Sequence, residues 1–265
     1  MQNAEARRGT ATHSLEAVYE PYRPLFVPKP VAENLWVVDG GIIRMSWLGV
    51  KVPFPTRMTI IRLGNGDLWL HSPVEARPEL VQAVSELGRV RYLVSPNPIH
   101  YWWLGDWRAP FPEARALGLS GAEKAAERRG FRFDAYLDSE GPSPWGPEIE
   151  QVLAPGGYMN EMVFFHAASR TLILTDLIEN FEPSRLRSRF WRFMMRITGA
   201  ADPDGKAPID LRLTFLPRRR QLRQAVERML AWHPERVILA HGRWYESDGE
   251  SELRRGMRWT GVGNG

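Results

Sequence analysis

Four polar side chains stand where short apolar runs end. Asn97 and His100 follow RYLVS, Asp176 follows TLILT, and His241 follows RVILA. Imidazole and carboxylate are the donor groups of zinc and iron sites, and catalytic zinc takes three protein ligands with one open position. Apolar, β-branched runs of this length read as strands. In α/β folds, polar residues at strand ends converge and ligands collect there. His100, Asp176 and His241 are therefore candidate ligands of one metal ion that would acidify a water for hydrolysis or polarise a carbonyl or phosphoryl oxygen. Each has a structural alternative: a loop histidine bonded to backbone, a turn aspartate, and a strand-end histidine packed beside Trp244.

The elements that would carry these residues are legible along the chain. NLWVVDGGIIRM reads as a strand, a Gly-Gly turn and a second strand over 35–45. Residues 58–63 and 67–72 form a hairpin around Asn65-Gly66. A helix follows from Pro78, with Leu80, Val81, Val84 and Leu87 as its apolar stripe and Gly88 as its end. VRYLVS, IEQVLAP, the two halves of EMVFFHAASRTLILTDL, and RVILAHG are further strands, and 121–130 is a short charged helix. A helix over 183–198 has Leu186, Phe190, Phe193, Met194 and Ile197 on one face, which is expected to pack inward. Residues 199–208 read as a loop, and a last long helix covers 219–232.

Other titratable residues carry weaker signals. Glu161 and His166 are five apart in a strand, so they face opposite sides of the sheet. His166 is expected to be structural and His71 a buried, satisfied histidine. The aromatic group Tyr101, Trp102, Trp103 and Trp107, with Trp244 and Tyr245, suggests an aromatic-walled cleft for an apolar or planar small molecule, with Asn97 at its base. The same rings would equally serve as a plug where no metal is bound.

Composition narrows the function classes. The chain has no cysteine, which excludes disulfides, thiolate metal sites and cysteine nucleophiles. Its net charge is +4, too small a surplus to predict nucleic-acid binding. The first twenty residues lack the apolar core of a signal peptide, and no run is long enough to span a membrane, so a cytoplasmic protein is expected. The segment RLRSRFWRFMMRITG puts arginines beside Phe, Trp and Met, a pattern of membrane-surface helices as well as of a lid or core helix over the site; the lid or core helix is the favoured expectation.

From about Leu35 to Glu246 the chain resembles the metallo-β-lactamase fold superfamily. LILTDL resembles the strand that ends in a metal-bridging aspartate, Asp176, and VILAHG the terminal histidine strand, His241. At the metal loop, Asn97, Ile99, Tyr101 and Trp102 stand where the superfamily carries His, His, Asp and His. Gly157 stands at the position of a further histidine, and His71 and Ser72 occupy the end of a strand that normally carries Asp. PFPTRMTIIRL, LWLHSPV, SPNPIHYWW and EMVFFHAASRTLILTDL further resemble a divergent family of unknown function found in bacteria and plants.

The resemblance implies an α/β, four-layered αβ/βα sandwich: two mixed β-sheets with helices outside. The expected organisation is a lead-in over 1–30, one domain over 31–250, and a tail over 251–265. The leading expectation for function is a hydrolase-like protein with a reduced, mononuclear site of His100, Asp176 and His241, taking zinc, manganese or iron. The alternatives are a metal-free binding protein using Asn97, Tyr101, Trp102, Trp103 and Trp244, and a membrane or partner contact through the 185–196 helix.

Overall fold

A computed structural model describes residues 18–47, 50–137, 141–157 and 159–262. Most of the lead-in, residues 1–17, and the last three residues lie outside the described residues. In chain order the elements are β1 (Lys29–Ala32), β2 (Leu35–Trp47), β3 (Val50–Arg62), β4 (Asp67–His71), α1 (Pro78–Leu87), β5 (Arg89–Ser95), α2 (Leu104–Arg108), β6 (Arg115–Gly118), α3 (Glu123–Glu127) and β7 (Ala135–Tyr136). Then come β8 (Ile149–Ala154), β9 (Glu161–His166), β10 (Thr171–Leu174), α4 (Arg189–Thr198), α5 (Ile209–Phe215), α6 (Arg219–Ala231), β11 (Arg236–Leu239) and α7 (Gly249–Met257).

The strands form two mixed sheets. One runs β1 to β7 in sequence order, antiparallel as far as β4 and parallel beyond it. The other has the order β11-β10-β9-β8, with β10 and β11 parallel. Side-chain alternation along a strand sends successive residues to opposite faces. Thus Val163 and Phe165 of β9, Leu172 and Leu174 of β10, and Val237 and Leu239 of β11 pack against Leu222, Val226 and Met229 of α6 and Leu253 and Met257 of α7. The intervening Met162, Phe164, Ile173 and Ile238 meet Trp69, Tyr92, Val94 and Leu117 of the other sheet. That sheet's outer face, with Leu68, Leu70 and Leu93, is covered by Leu80 and Val84 of α1 and Trp107 of α2. The layers are therefore helix, sheet, sheet and helix.

Three details differ from the sequence reading. Gly40 and Gly41 do not turn the chain. They lie inside the continuous strand β2, where the register with β3 shifts between Asp39 and Ile42. A bulge needs one extra residue, and here it also needs no side chain: a Cβ on Gly40 would meet Thr56 Oγ1 at 2.4 Å. Second, residues 209–215 form α5, where no helix was expected.

Third, the helix expected over 183–198 starts at Arg189 behind an N-cap at Ser188, and its expected apolar stripe splits: Leu186 is buried ahead of the helix and Met194 faces inward, while the other three residues face outward. Phe190, Phe193 and Ile197 are 57%, 61% and 54% exposed. Periodicity identifies one apolar face but not the side it turns to. This helix has a second stripe, with Trp191, Met194, Met195 and Thr198, and that one turns inward.

The expected boundary at residue 30 crosses β1, and that at 250 falls inside α7, where Leu253 and Met257 are buried.

A buried arginine ties the two sheets together at one end. Arg57 of β3 donates from Nη1 to the carbonyls of Leu239 and Gly242, at 2.6 and 2.8 Å. Its Nη2 pairs with Asp39 at 2.7 Å, and Lys29 pairs with the other Asp39 oxygen at 2.5 Å. Removing one member of a buried pair strands the other charge and the two carbonyls. Arg57→Ala is expected to cost about 3–5 kcal/mol of unfolding free energy, read by urea denaturation. A loss below about 1 kcal/mol, the size of a surface pair, would show that water replaces the guanidinium.

Candidate metal centre

Each element of the site delivers its residue by a local rule. Chain direction reverses after β5, and Asn97 makes that turn: its Oδ1 accepts from the backbone N–H groups of Ile99 and His100, at 3.0 and 3.1 Å. This places His100 over the sheet junction. Asp176 and His241 follow β10 and β11, which lie side by side in parallel. After His241 the chain turns through Gly242 at φ +88°, where a Cβ would sit 2.1 Å from the carbonyl oxygen of Asn180.

The three expected ligands come together. One donor atom from each of His100, Asp176 and His241 lies within 4.8 Å of the others. His100 Nε2 is 3.2 Å from Asp176 Oδ2, and His241 Nε2 is 3.3 Å from Asp176 Oδ1. Asp176 and His241 are buried, and the His100 side chain nearly so.

The outer partners set the chemistry. His241 Nδ1 lies 2.8 Å from the carbonyl oxygen of Pro55. A carbonyl can only accept, so Nδ1 carries a proton, and Nε2 is the atom turned toward Asp176. Two acceptors at that distance repel unless a proton or a cation lies between them. His100 Nδ1 pairs with Ser72 Oγ at 2.6 Å, and a hydroxyl can donate to it or accept from it. Ser72 itself sits at φ +50°, an uncommon conformation for a residue with a side chain. A metal-ligating histidine usually donates from its far nitrogen to an acceptor, as His241 does to Pro55.

Asp176 is also gripped from behind. Asn97 Nδ2 donates to its Oδ2 at 2.6 Å and to Thr175 Oγ1 at 3.0 Å. Burial alone would raise the Asp176 carboxyl, but His100 and His241 outweigh it and hold the group well below the usual carboxylate range. Glu161, at the start of β9, accepts from the backbone N–H groups of Thr175, Asp176 and Leu177, at 2.7, 2.8 and 3.2 Å. Burial, and then the Asp176 charge, push its carboxyl up to about 7 against those donors. Glu179 is also buried and pushed well above the ordinary range, by burial first and then by the charges of Asp176, Asp210 and Glu161.

A cavity of about 120 Å³ adjoins the triad. Asp176, Glu179 and His241 share its wall with Phe54, Ile99 and Met159, and α4 and α5 close it with Trp191, Met194 and Leu211. A smaller one of about 30 Å³ lies between His100, Ser72, Trp102 and Trp103.

The residues expected to bind a ligand separate. Trp102 and Trp103 line the smaller cavity. Tyr101 packs toward the outer face of the first sheet, and Trp244 packs on both the core between the two sheets and the core under α6 and α7; neither lines these two cavities. Asn97 is buried with its amide fully bonded within the chain, so it positions rather than contacts. His71 is buried against Trp69 and Phe164, and its Nε2 has no hydrogen-bond partner among the described residues, unlike the satisfied histidine expected. His166 bonds Ser169 Oγ at 2.7 Å, away from the triad. Glu161 was one candidate among several in the sequence. Its reach under Thr175–Leu177 has no sequence signal, because the contact crosses between strands.

Comparison with known proteins agrees with this architecture. A family model described as "Domain of unknown function (DUF4336)" matches residues 34–185, more than half of the chain. No protein of curated function matches the sequence. Among solved structures, a metallo-β-lactamase from Pontibacter korlensis is similar at a TM-score of 0.56 and 12% identity, over 88% of this chain and 98% of that one. A metallo-β-lactamase from Hirschia baltica is similar at 0.58 and 14%, over 88% and 96%. The metallo-β-lactamase FIM-1 from Pseudomonas aeruginosa, in its mono-zinc form, is similar at 0.56 and 14%, over 89% and 94%. At these identities the likeness establishes the fold, a metallo-β-lactamase fold with two mixed sheets and outer helices.

The raised Glu161 carboxyl predicts a pH effect. Between its ordinary 4.5 and about 7, the folded chain holds a proton that the unfolded chain has released. The stability owed to this group therefore falls as pH rises through that window. Glu161→Gln cannot titrate. In chelator-treated protein, the unfolding free energy of wild type relative to Glu161→Gln is expected to decline from pH 4.5 to about 7. A pH-independent difference would show that the three N–H donors keep Glu161 ionised.

Proposed function

The chain belongs to the family described as Domain of unknown function (DUF4336), and on that footing we propose that it is a hydrolase working with one divalent metal ion. The observation that carries this reading is the convergence of one donor atom each from His100, Asp176 and His241 within 4.8 Å of one another. With Nδ1–H committed to Pro55, His241 turns Nε2 to a buried carboxylate oxygen at 3.3 Å, an arrangement that a proton or a cation between them satisfies. His100 Nε2, an Asp176 oxygen and His241 Nε2 would be the ligands, and three ligands leave a position open for water or substrate. Zinc suits two imidazoles and a carboxylate best; manganese and iron also accept this set. When bound, such an ion supplies Lewis acidity and lowers the pKa of a water for attack on a carbonyl or phosphoryl centre.

The chain's own residues do the rest. Pro55 and Ser72 fix the two rings, and Asn97 and Glu161 fix the aspartate and its backbone. Phe54, Ile99 and Met159 keep the adjoining cavity apolar, so it favours a small apolar portion of substrate and limits bulk water near the triad. The triad is the one group of three histidine or acidic donors within ligating reach of each other among the described residues, so one ion is the proposed load. The mono-zinc form solved for a fold neighbour is in keeping with that number.

A metal-free binding protein is the second reading, favoured by one contact: Asn97 Nδ2 already occupies Asp176 Oδ2 at 2.6 Å. There a protonated imidazole would satisfy Asp176, and the aromatic-walled cavities would hold a small molecule.

Metal analysis separates the two. Protein purified without chelator is expected to carry about one zinc, manganese or iron per chain, falling below about 0.1 in His241→Ala and in Asp176→Asn. Hydrolysis of a simple activated ester is expected to follow that metal content and to stop on chelation. Wild type that stays below about 0.1 metal per chain after each ion is added would contradict the metal reading.

A further inference from the structure

The two helices that close the large cavity leave an apolar face uncovered. Phe190, Phe193 and Ile197 of α4, and Ile209, Leu213 and Leu216 on and just after α5, are all between 48% and 61% exposed. Scattered exposed apolar residues need no explanation, but six on two adjoining helices do. The helices meet directly: Arg212 of α5 donates to the carbonyl of Thr198, the last residue of α4, at 3.2 Å.

The surroundings of this face are basic. From Arg185 to Ala200 the chain has five arginines and no acidic residue, and Arg218, Arg219 and Arg220 follow α5. Arg187, Arg189, Arg196, Arg218 and Arg220 are exposed and form no ion pair among the described residues. Of the acidic groups nearby, Glu182 pairs with Arg185, Asp202 with Arg243, and Asp204 with Arg255 and Arg258, while Asp210 of α5 lines the cavity on the inner side.

We propose that the face formed by α4 and α5 docks this protein on an anionic lipid surface. Its apolar side chains would enter the headgroup boundary, and its rim of unpaired arginines would meet lipid phosphates and carboxylates. An in-plane amphipathic helix with a cationic rim has the composition this requires. No helix among the described residues is long and apolar enough to cross a membrane, so the contact is peripheral. A second copy is the poorer occupant, because a twofold contact presses a patch against itself and would set arginine rim against arginine rim. Docking would bring the two helices that wall the metal-centre cavity against the bilayer. The inference does not depend on whether metal is bound.

Vesicle flotation tests it. The full chain is expected to float with phosphatidylcholine vesicles containing phosphatidylserine at low salt. It should not float with phosphatidylcholine alone, and high salt should release it. Phe193→Asp with Leu213→Asp is expected to abolish flotation without changing the melting temperature. Arg189→Ser and Arg196→Ser should each weaken binding about fivefold, a readout that survives if the double aspartate variant fails to fold. The proposal is overturned if wild type does not float at low salt, or if neither set of variants changes flotation. It is also overturned if sedimentation shows a wild-type dimer that Phe193→Asp with Leu213→Asp makes monomeric, since the face would then hold a second copy.

Discussion

A carboxylate in an apolar interior costs several kcal/mol unless it is paired and hydrogen-bonded, and Asp176 is 4% exposed. Much of the local structure answers that cost. Asn97 donates to it, and His100 and His241 approach from two other loops. Those rings are held by Ser72 and by the Pro55 carbonyl. Glu161 takes the backbone N–H of Asp176 itself. The supporting residues run from Pro55 to His241 and come from both sheets. The clamp of Arg57 on the carbonyls of Leu239 and Gly242 brackets the chain on both sides of His241. Packing of the sheets and geometry of the triad are thus one constraint.

The layered fold was legible wherever a strand is buried on both faces. In β9, β10 and β11 every residue but one is buried, and each strand reads as an apolar run. Legibility failed where local signals have two solutions. Gly40-Gly41 suits a turn or a bulge, and only the register of eleven pairs between β2 and β3 decides for the bulge. The apolar stripe of α4 suits a core or a surface, and only the inward stripe of Met194 and Met195 decides. In α5, Asp210 and Arg212 interrupt a segment too short for a helical period to show.

For the site, strand ends located Asp176 and His241, because a polar residue closing an apolar strand is visible in one dimension. His100 was off the register of the resemblance, and the Asn97 turn is what brings it in. The roles of Asn97 and Glu161 were not visible, since both act through contacts between strands distant in sequence. The packing of Trp244 was hidden for a related reason. A tryptophan beside a site residue in sequence can have its ring drawn into the core, and this one packs on both the inter-sheet core and the core under α6 and α7.

If His100 and His241 turn their Nε2 atoms to Asp176 so as to share a cation, nitrogen NMR of the histidine rings during zinc titration will show it. Two imidazoles alone are expected to shift, both at Nε2, while Nδ1 of His241 keeps its proton. Two rings that are imidazolium at neutral pH and unmoved by zinc would contradict it.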